Sequence, residues 1–82
     1  MSTQTQTLTD QLLTLITTKY GAPAGTTAQT PFERLDFDSL VLVEVAVALA
    51  SRYHIGVSYE ELHDAGTIAG TVALLESKGV RA

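Results

Sequence analysis

The sequence contains no cysteine, which excludes disulfides, thiolate catalysis and zinc sites with cysteine ligands. The longest nearly uncharged run, Leu40 to Ser51, is interrupted by Glu44 and is too short to span a bilayer. No basic segment followed by an apolar one opens the chain. We therefore predict a cytoplasmic protein that does not associate with a membrane.

Basic residues are also few, five against nine acids, and the formal net charge is −4. Seven of the nine acids lie between Glu33 and Asp64, and only two bases share this segment. Nucleic-acid binding needs the opposite sign of charge, so no nucleic-acid partner is predicted. The acidity serves either ordinary solubility or the attraction of a basic partner, and the charge pattern leaves both interpretations open.

The chain has 82 residues, of which 45% are hydrophobic. This size and composition predict a single globular domain over residues 1–82, near the lower size limit for a stable core. Residues 1–7 are polar and rich in threonine, which is typical of a frayed lead-in. The initial methionine and the short length favour a free-standing protein, and we expect a monomer.

Apolar residues recur every four positions over about 8–20, which predicts a first helix. Thr7 or Thr9 can cap its start, and Gly21 is a suitable left-handed stop. Residues 21–38 contain both prolines and are predicted to form a long loop. Its expected apolar anchors are Phe32, Leu35 and Phe37.

The second helix is predicted to begin at Ser39, with Asp38 as its N-cap, and to end near Tyr53. It is apolar nearly all round, which indicates a central element covered on several sides. The best-spaced core stripe consists of Val43, Ala46, Leu49, Ala50 and Tyr53.

Ser58 and Glu61 fit a capping box that opens a short third helix ending near Asp64. Thr67 can cap a fourth helix, which Gly79 would stop.

Gly70, inside this fourth helix, can permit close packing. No segment alternates convincingly as a strand. The fold class predicted is all-α, a small antiparallel four-helix bundle with a long loop between the first two helices.

Ser39 precedes the apolar run and is the first candidate for chemistry. A Ser/His/Asp site needs its base within hydrogen-bond reach, but His54 lies 15 residues further along the same helix, roughly 22 Å away at the helical rise. His63 lies on another helix, and nothing in the sequence orients it toward Ser39. No G-x-S-x-G elbow surrounds the serine. We predict neither a catalytic site nor, since the two histidines lack metal-ligand spacing, a metal site.

The remaining role for Ser39 is that of a passive acceptor. In the first turn of a helix its side chain faces solvent, and the free backbone N–H groups favour an attached anion. Alternatively, Asp38 and Ser39 form only a helix start, where both residue types are common.

Two segments, LDFDSLVLVEV and RYHIGVSYEEL, resemble the acyl carrier protein family, and the resemblance covers about residues 8–78. It implies that Ser39 receives a covalent 4′-phosphopantetheine arm from coenzyme A, flanked by Asp38 and Leu40. The terminal thiol of that arm carries acyl groups as thioesters. The resemblance also implies a carrier that is not itself an enzyme.

The partners implied by this resemblance are a phosphopantetheinyl transferase and the acyl-loading, condensing and tailoring or releasing enzymes of a biosynthetic pathway. The acidic segment would be the docking surface for their basic patches. The residues expected to contact partners are Leu40, Val41, Glu44, Glu60 and Glu61.

Two departures from the family pattern matter. Asp36 stands where the family usually has glycine, and Glu44 is the only acid of the second helix, which makes the docking face more apolar. We therefore expect an acyl carrier of a polyketide-type or other specialised pathway, with selective partners. The alternatives are a peptidyl carrier of nonribosomal peptide synthesis and, in another class, a non-carrier acidic helical interaction module.

Overall fold

The computed structural model describes residues 3–81 as four helices joined by one long and two short connections. The helices are α1 (Thr3–Lys19), α2 (Ser39–Tyr53), α3 (Tyr59–Ala65) and α4 (Ile68–Ser77), with a 3₁₀ turn (Phe32–Leu35) in the long loop. α1 packs on α4, and α3 packs on both α2 and α4. Residues 3–81 contain no strand, and the predicted all-α four-helix bundle is confirmed. None of these helices has the length and apolarity needed to cross a bilayer.

The start predicted for the first helix near residue 8 is wrong, because α1 already begins at Thr3. Residues 3–7 of the expected lead-in are therefore helical, while residues 1–2 lie outside the described chain. Thr5 Oγ1 donates a 2.7 Å hydrogen bond to Glu76 Oε2, which ties this end of α1 to α4. Thr7 and Thr9 do not cap α1, since their hydroxyls donate to carbonyls one turn earlier.

Gly21 ends α1 in the left-handed conformation (φ 72°), as predicted. The loop that follows has two parts. Its tip, residues 23–25, is exposed. Its second part is fixed by backbone hydrogen bonds from Phe32 N–H to the Gly66 carbonyl (2.9 Å) and from Ala69 N–H to the Ala28 carbonyl (2.8 Å).

α2 has the predicted bounds and the predicted N-cap, but the predicted core stripe is wrong in part. Val43 is 43% exposed, whereas Leu42 and Val45 are buried. The reason is that the helix is apolar nearly all round, so spacing alone does not fix which side faces the core. The core of the bundle comprises Leu8, Leu12, Leu15, Ile16, Ala22, Phe32, Leu42, Val45, Ala46, Leu49, Leu62, Ile68, Val72, Leu75 and Val80.

The predicted caps of α3 and α4 are confirmed. Ser58 and Glu61 form a reciprocal capping box, and the Thr67 hydroxyl accepts a hydrogen bond from Gly70 N–H. Gly70 faces the backbone of Ala65 so closely that a Cβ there would overlap the Ala65 carbonyl oxygen. The connection between α3 and α4 is therefore tight because position 70 has no side chain.

Candidate functional site

Ser39 is the first residue of α2, and its side chain is exposed. Asp38 precedes it in an extended conformation, and Asp38 Oδ1 accepts a 2.9 Å hydrogen bond from Val41 N–H. The first N–H groups of a helix have no carbonyl partner inside the helix and carry partial positive charge. A negative group attached to the Ser39 hydroxyl would therefore lie in a favourable field.

The segment leading to Ser39 is held in place by two aromatic rings. Phe32 is buried, and the half-buried Phe37 stacks on it with ring centroids 6.3 Å apart. Asp36 lies between them with a left-handed backbone (φ 56°). Glycine adopts this conformation at no steric cost and aspartate is among the few residues that tolerate it. Aspartate at position 36, where the resembling family usually has glycine, thus keeps the backbone conformation that glycine favours.

A cavity of about 400 Å³ lies beside Ser39, between the long loop, the start of α2 and α3. The rings of Phe32 and Phe37 line it from the loop, and Tyr59 and His63 line it from α3. The structure thus brings His63 to the same cavity as Ser39, which sequence reasoning did not establish. The sequence signal for this was the spacing of Tyr59 and His63, which are one helical turn apart and so lie on the same face of α3. Their ring centroids are 5.8 Å apart.

This arrangement differs from that of a hydrolase triad. Among residues 3–81, no hydrogen bond joins Ser39 to His63, although His63 Nδ1 lies 3.9 Å from Asp64 Oδ1. Both side chains of this histidine–aspartate pair are well exposed. The described residues also contain no group of three or more potential metal ligands. What the site offers is an accessible hydroxyl beside a partly aromatic cavity.

The residues expected to contact partners on α2 form an exposed surface. Leu40 is 66% exposed, Glu44 is exposed, and Val41 is half-buried. Val43, which was predicted for the core stripe, and Val47 are 43% and 64% exposed. With Leu40 they follow the i, i+3, i+7 spacing of one helix face. We refer to Leu40, Val43 and Val47 as the apolar stripe.

The two glutamates of α3 differ in their surroundings. Glu60 is exposed, whereas Glu61 is half-buried and engaged within the chain. The Lys78 ammonium, with Nζ 2.8 Å from Glu61 Oε2, and the Ser58 N–H hold the pKa of Glu61 below its ordinary value. The charge of Glu61 is therefore largely compensated by Lys78, while that of Glu60 faces solvent.

The comparison with known families agrees with this geometry. A family model described as a phosphopantetheine attachment site matches residues 10–75, more than half of the chain. The matched region contains Ser39, the apolar stripe and His63. No curated protein matches the chain significantly.

Proposed function

The chain belongs to the family of proteins with a phosphopantetheine attachment site, and from this premise we propose that the arm is attached to Ser39. The chain is a phosphopantetheine carrier, and its cofactor is covalent 4′-phosphopantetheine. When bound, this group supplies a terminal thiol that holds acyl or aminoacyl groups as thioesters. The observation that carries the proposal is the exposed Ser39 hydroxyl at the capped start of α2.

The residues of the chain have simple tasks in this role. Ser39 supplies the hydroxyl that becomes one ester of the phosphodiester, and the start of α2 stabilises its negative charge. Asp38 keeps that helix start intact through its bond to Val41 N–H. Carrier domains of this family are generally not catalytic, and we propose the same for this chain, so that a separate transferase supplies the base and coenzyme A.

Attachment is tested by intact mass after incubation with coenzyme A, magnesium and a broad-specificity phosphopantetheinyl transferase. We expect the natural sequence to gain one phosphopantetheine and Ser39→Ala to gain none. Ser51→Ala removes another exposed serine of α2 and should gain the arm like the natural sequence. A gain in Ser39→Ala would contradict the assignment of the residue, and no gain in any variant with several transferases would favour the non-carrier interaction module.

Carriers of this family work with a transferase and with biosynthetic enzymes in general, and we propose selective partners for this one. The apolar stripe is exposed along α2, and Glu44 is the only acid in that helix. Apolar contacts would then contribute more to docking than charge attraction does. This supports an acyl carrier of a polyketide-type or other specialised pathway over a carrier of general fatty-acid synthesis.

Enzyme selectivity tests this finer proposal. We expect fatty-acid enzymes to load and elongate the arm-bearing protein less efficiently than their own carrier, and Val47→Glu to raise that efficiency by adding an acid to the docking face. Ala73→Glu, an exposed position on α4, is the matched control and should have no effect. Equal efficiency with the natural sequence would contradict the proposal, and loading by an amino-acid-adenylating enzyme would favour the peptidyl carrier.

A further inference from the structure

The surroundings of Ser39 are acidic. Asp38 directly precedes it, Asp36 is exposed three residues before Ser39, and Glu33 lines the adjacent cavity. A phosphodiester attached at Ser39 adds a further negative charge to this group. The partial positive charge at the start of α2 offsets part of the repulsion, and a neighbouring cation would offset more.

Among residues 3–81, His63 is the only residue lining this cavity that can carry a positive charge. It reaches the cavity from α3, across from the loop residue Phe37. Its side chain is 62% exposed, so its ring can turn without disturbing the core. Arg34, the nearest base in the sequence, is exposed and does not line the cavity.

Resting on the attachment at Ser39, we propose that His63 is a positioning residue for the arm. Its protonated imidazole would pair with the phosphodiester attached at Ser39, beside the cavity that Phe37 and Tyr59 also line. Loss of the positive charge of His63 would end this pairing. The proposed contact between His63 and the phosphodiester therefore depends on pH.

The other charged and titratable groups around His63 ordinarily change charge outside the pH range of an imidazole, so a pH dependence in that range can be assigned to His63. On α3 they are Asp64, 3.9 Å from Nδ1, the exposed Glu60, and Tyr59. Glu33 faces the cavity from the loop and Asp38 lies at the start of α2, while Lys78, directly after α4, is paired with Glu61. Carboxylates ordinarily titrate below about pH 5 and phenols and amines above about pH 9, whereas imidazole changes charge between about pH 5 and 8.

Phosphorus NMR of the arm-bearing protein between about pH 5 and 8 tests the proposal directly, because a phosphodiester does not titrate in the range of imidazole. We expect an inflection of the phosphorus chemical shift in the natural sequence and its loss in His63→Gln. His54→Gln removes the other histidine, which is exposed at the end of α2, and should keep the inflection. His63→Lys should hold the shift at its low-pH value throughout.

The outcomes separate this proposal from the one on which it rests. A protein that gains no arm in the mass measurement contradicts the attachment at Ser39. A protein that gains the arm but shows no inflection, or keeps it in His63→Gln, contradicts only the role of His63. Far-UV circular dichroism of His63→Gln should match that of the natural sequence. If His63 had a purely structural role, His63→Gln would lower the helicity but would retain the inflection of the phosphorus chemical shift.

Discussion

Lys78 Nζ lies 2.8 Å from Glu61 Oε2, and Glu61 Oε1 of the same carboxylate accepts a 3.1 Å hydrogen bond from Ser58 N–H. The start of α3 and the end of α4 are thereby joined through one side chain. Because the contact is an ion pair, its contribution to the stability of the fold depends on the charge state of Glu61.

This relationship predicts a pH dependence of stability. The pKa of Glu61 is below its ordinary value of 4.5, first because of Lys78 and second because of Ser58 N–H. Its contribution is complete above the unfolded-state pKa and is lost as the pH falls through the folded-state pKa. We expect the thermal midpoint to fall less steeply with acid in Glu61→Gln than in the natural sequence. Glu60→Gln, the exposed neighbour, is the control, and identical slopes for both variants would refute the prediction.

Two substitutions of Asp38 distinguish the effect of its hydrogen bond to Val41 N–H from the effect of its negative charge. Asp38→Ala removes the acceptor for Val41 N–H and should lower the free energy of unfolding by about 1 kcal/mol, whereas Asp38→Asn should lower it by only a few tenths, about 0.3 kcal/mol. Chemical denaturation measures both. If Asp38→Asn lowered the free energy of unfolding as much as Asp38→Ala does, the carboxylate charge, rather than the hydrogen bond, would stabilise the start of α2.

Replacement of Gly70 by alanine should have the opposite effect on stability from the same replacement at an ordinary helical glycine. Replacement by alanine inside a helix ordinarily stabilises by about 0.5–1 kcal/mol. At position 70 the added Cβ would overlap the backbone of Ala65, so we expect Gly70→Ala to destabilise by about 2 kcal/mol. Gly56 has no atom within 4 Å of such a Cβ, and Gly56→Ala should be neutral or slightly stabilising. A stable Gly70→Ala variant in urea denaturation would contradict the close packing.

Tyr53 links the end of α2 to α1, because its hydroxyl donates a 2.6 Å hydrogen bond to Gln11 Oε1. Tyr53→Phe should lower the free energy of unfolding by about 1 kcal/mol. Burial raises the pKa of Tyr53, so its contribution is present below the ordinary value of 10.0 and is lost as the pH rises through the folded-state value. Stability measured at alkaline pH should therefore decline less in Tyr53→Phe. An equal decline in both proteins would refute this assignment.

The features that the sequence predicted correctly are local ones. Asp38, Ser58 and Thr67 each accept a hydrogen bond from an N–H three residues later, so a short pattern is enough to identify them. The start of α1 was not predictable in this way, since Thr5 is stabilised by Glu76, 71 positions away. The approach of His63 to Ser39 likewise depends on how α3 packs, which no short pattern records.

The division of the long loop into a fixed part and an exposed tip has a practical use. Residues 28–32 are tied to the α3–α4 region by main-chain hydrogen bonds, so inserted residues there would disrupt those bonds. Residues 23–25 are exposed, and a Cβ at Gly25 would meet no atom within 4 Å. A fluorescent or affinity tag introduced between residues 24 and 25 would interrupt the local turn in which Thr26 donates to the Pro23 carbonyl, but would leave the bundle and the start of α2 intact. The carrier could then be followed through successive encounters with its enzymes without a label at either terminus.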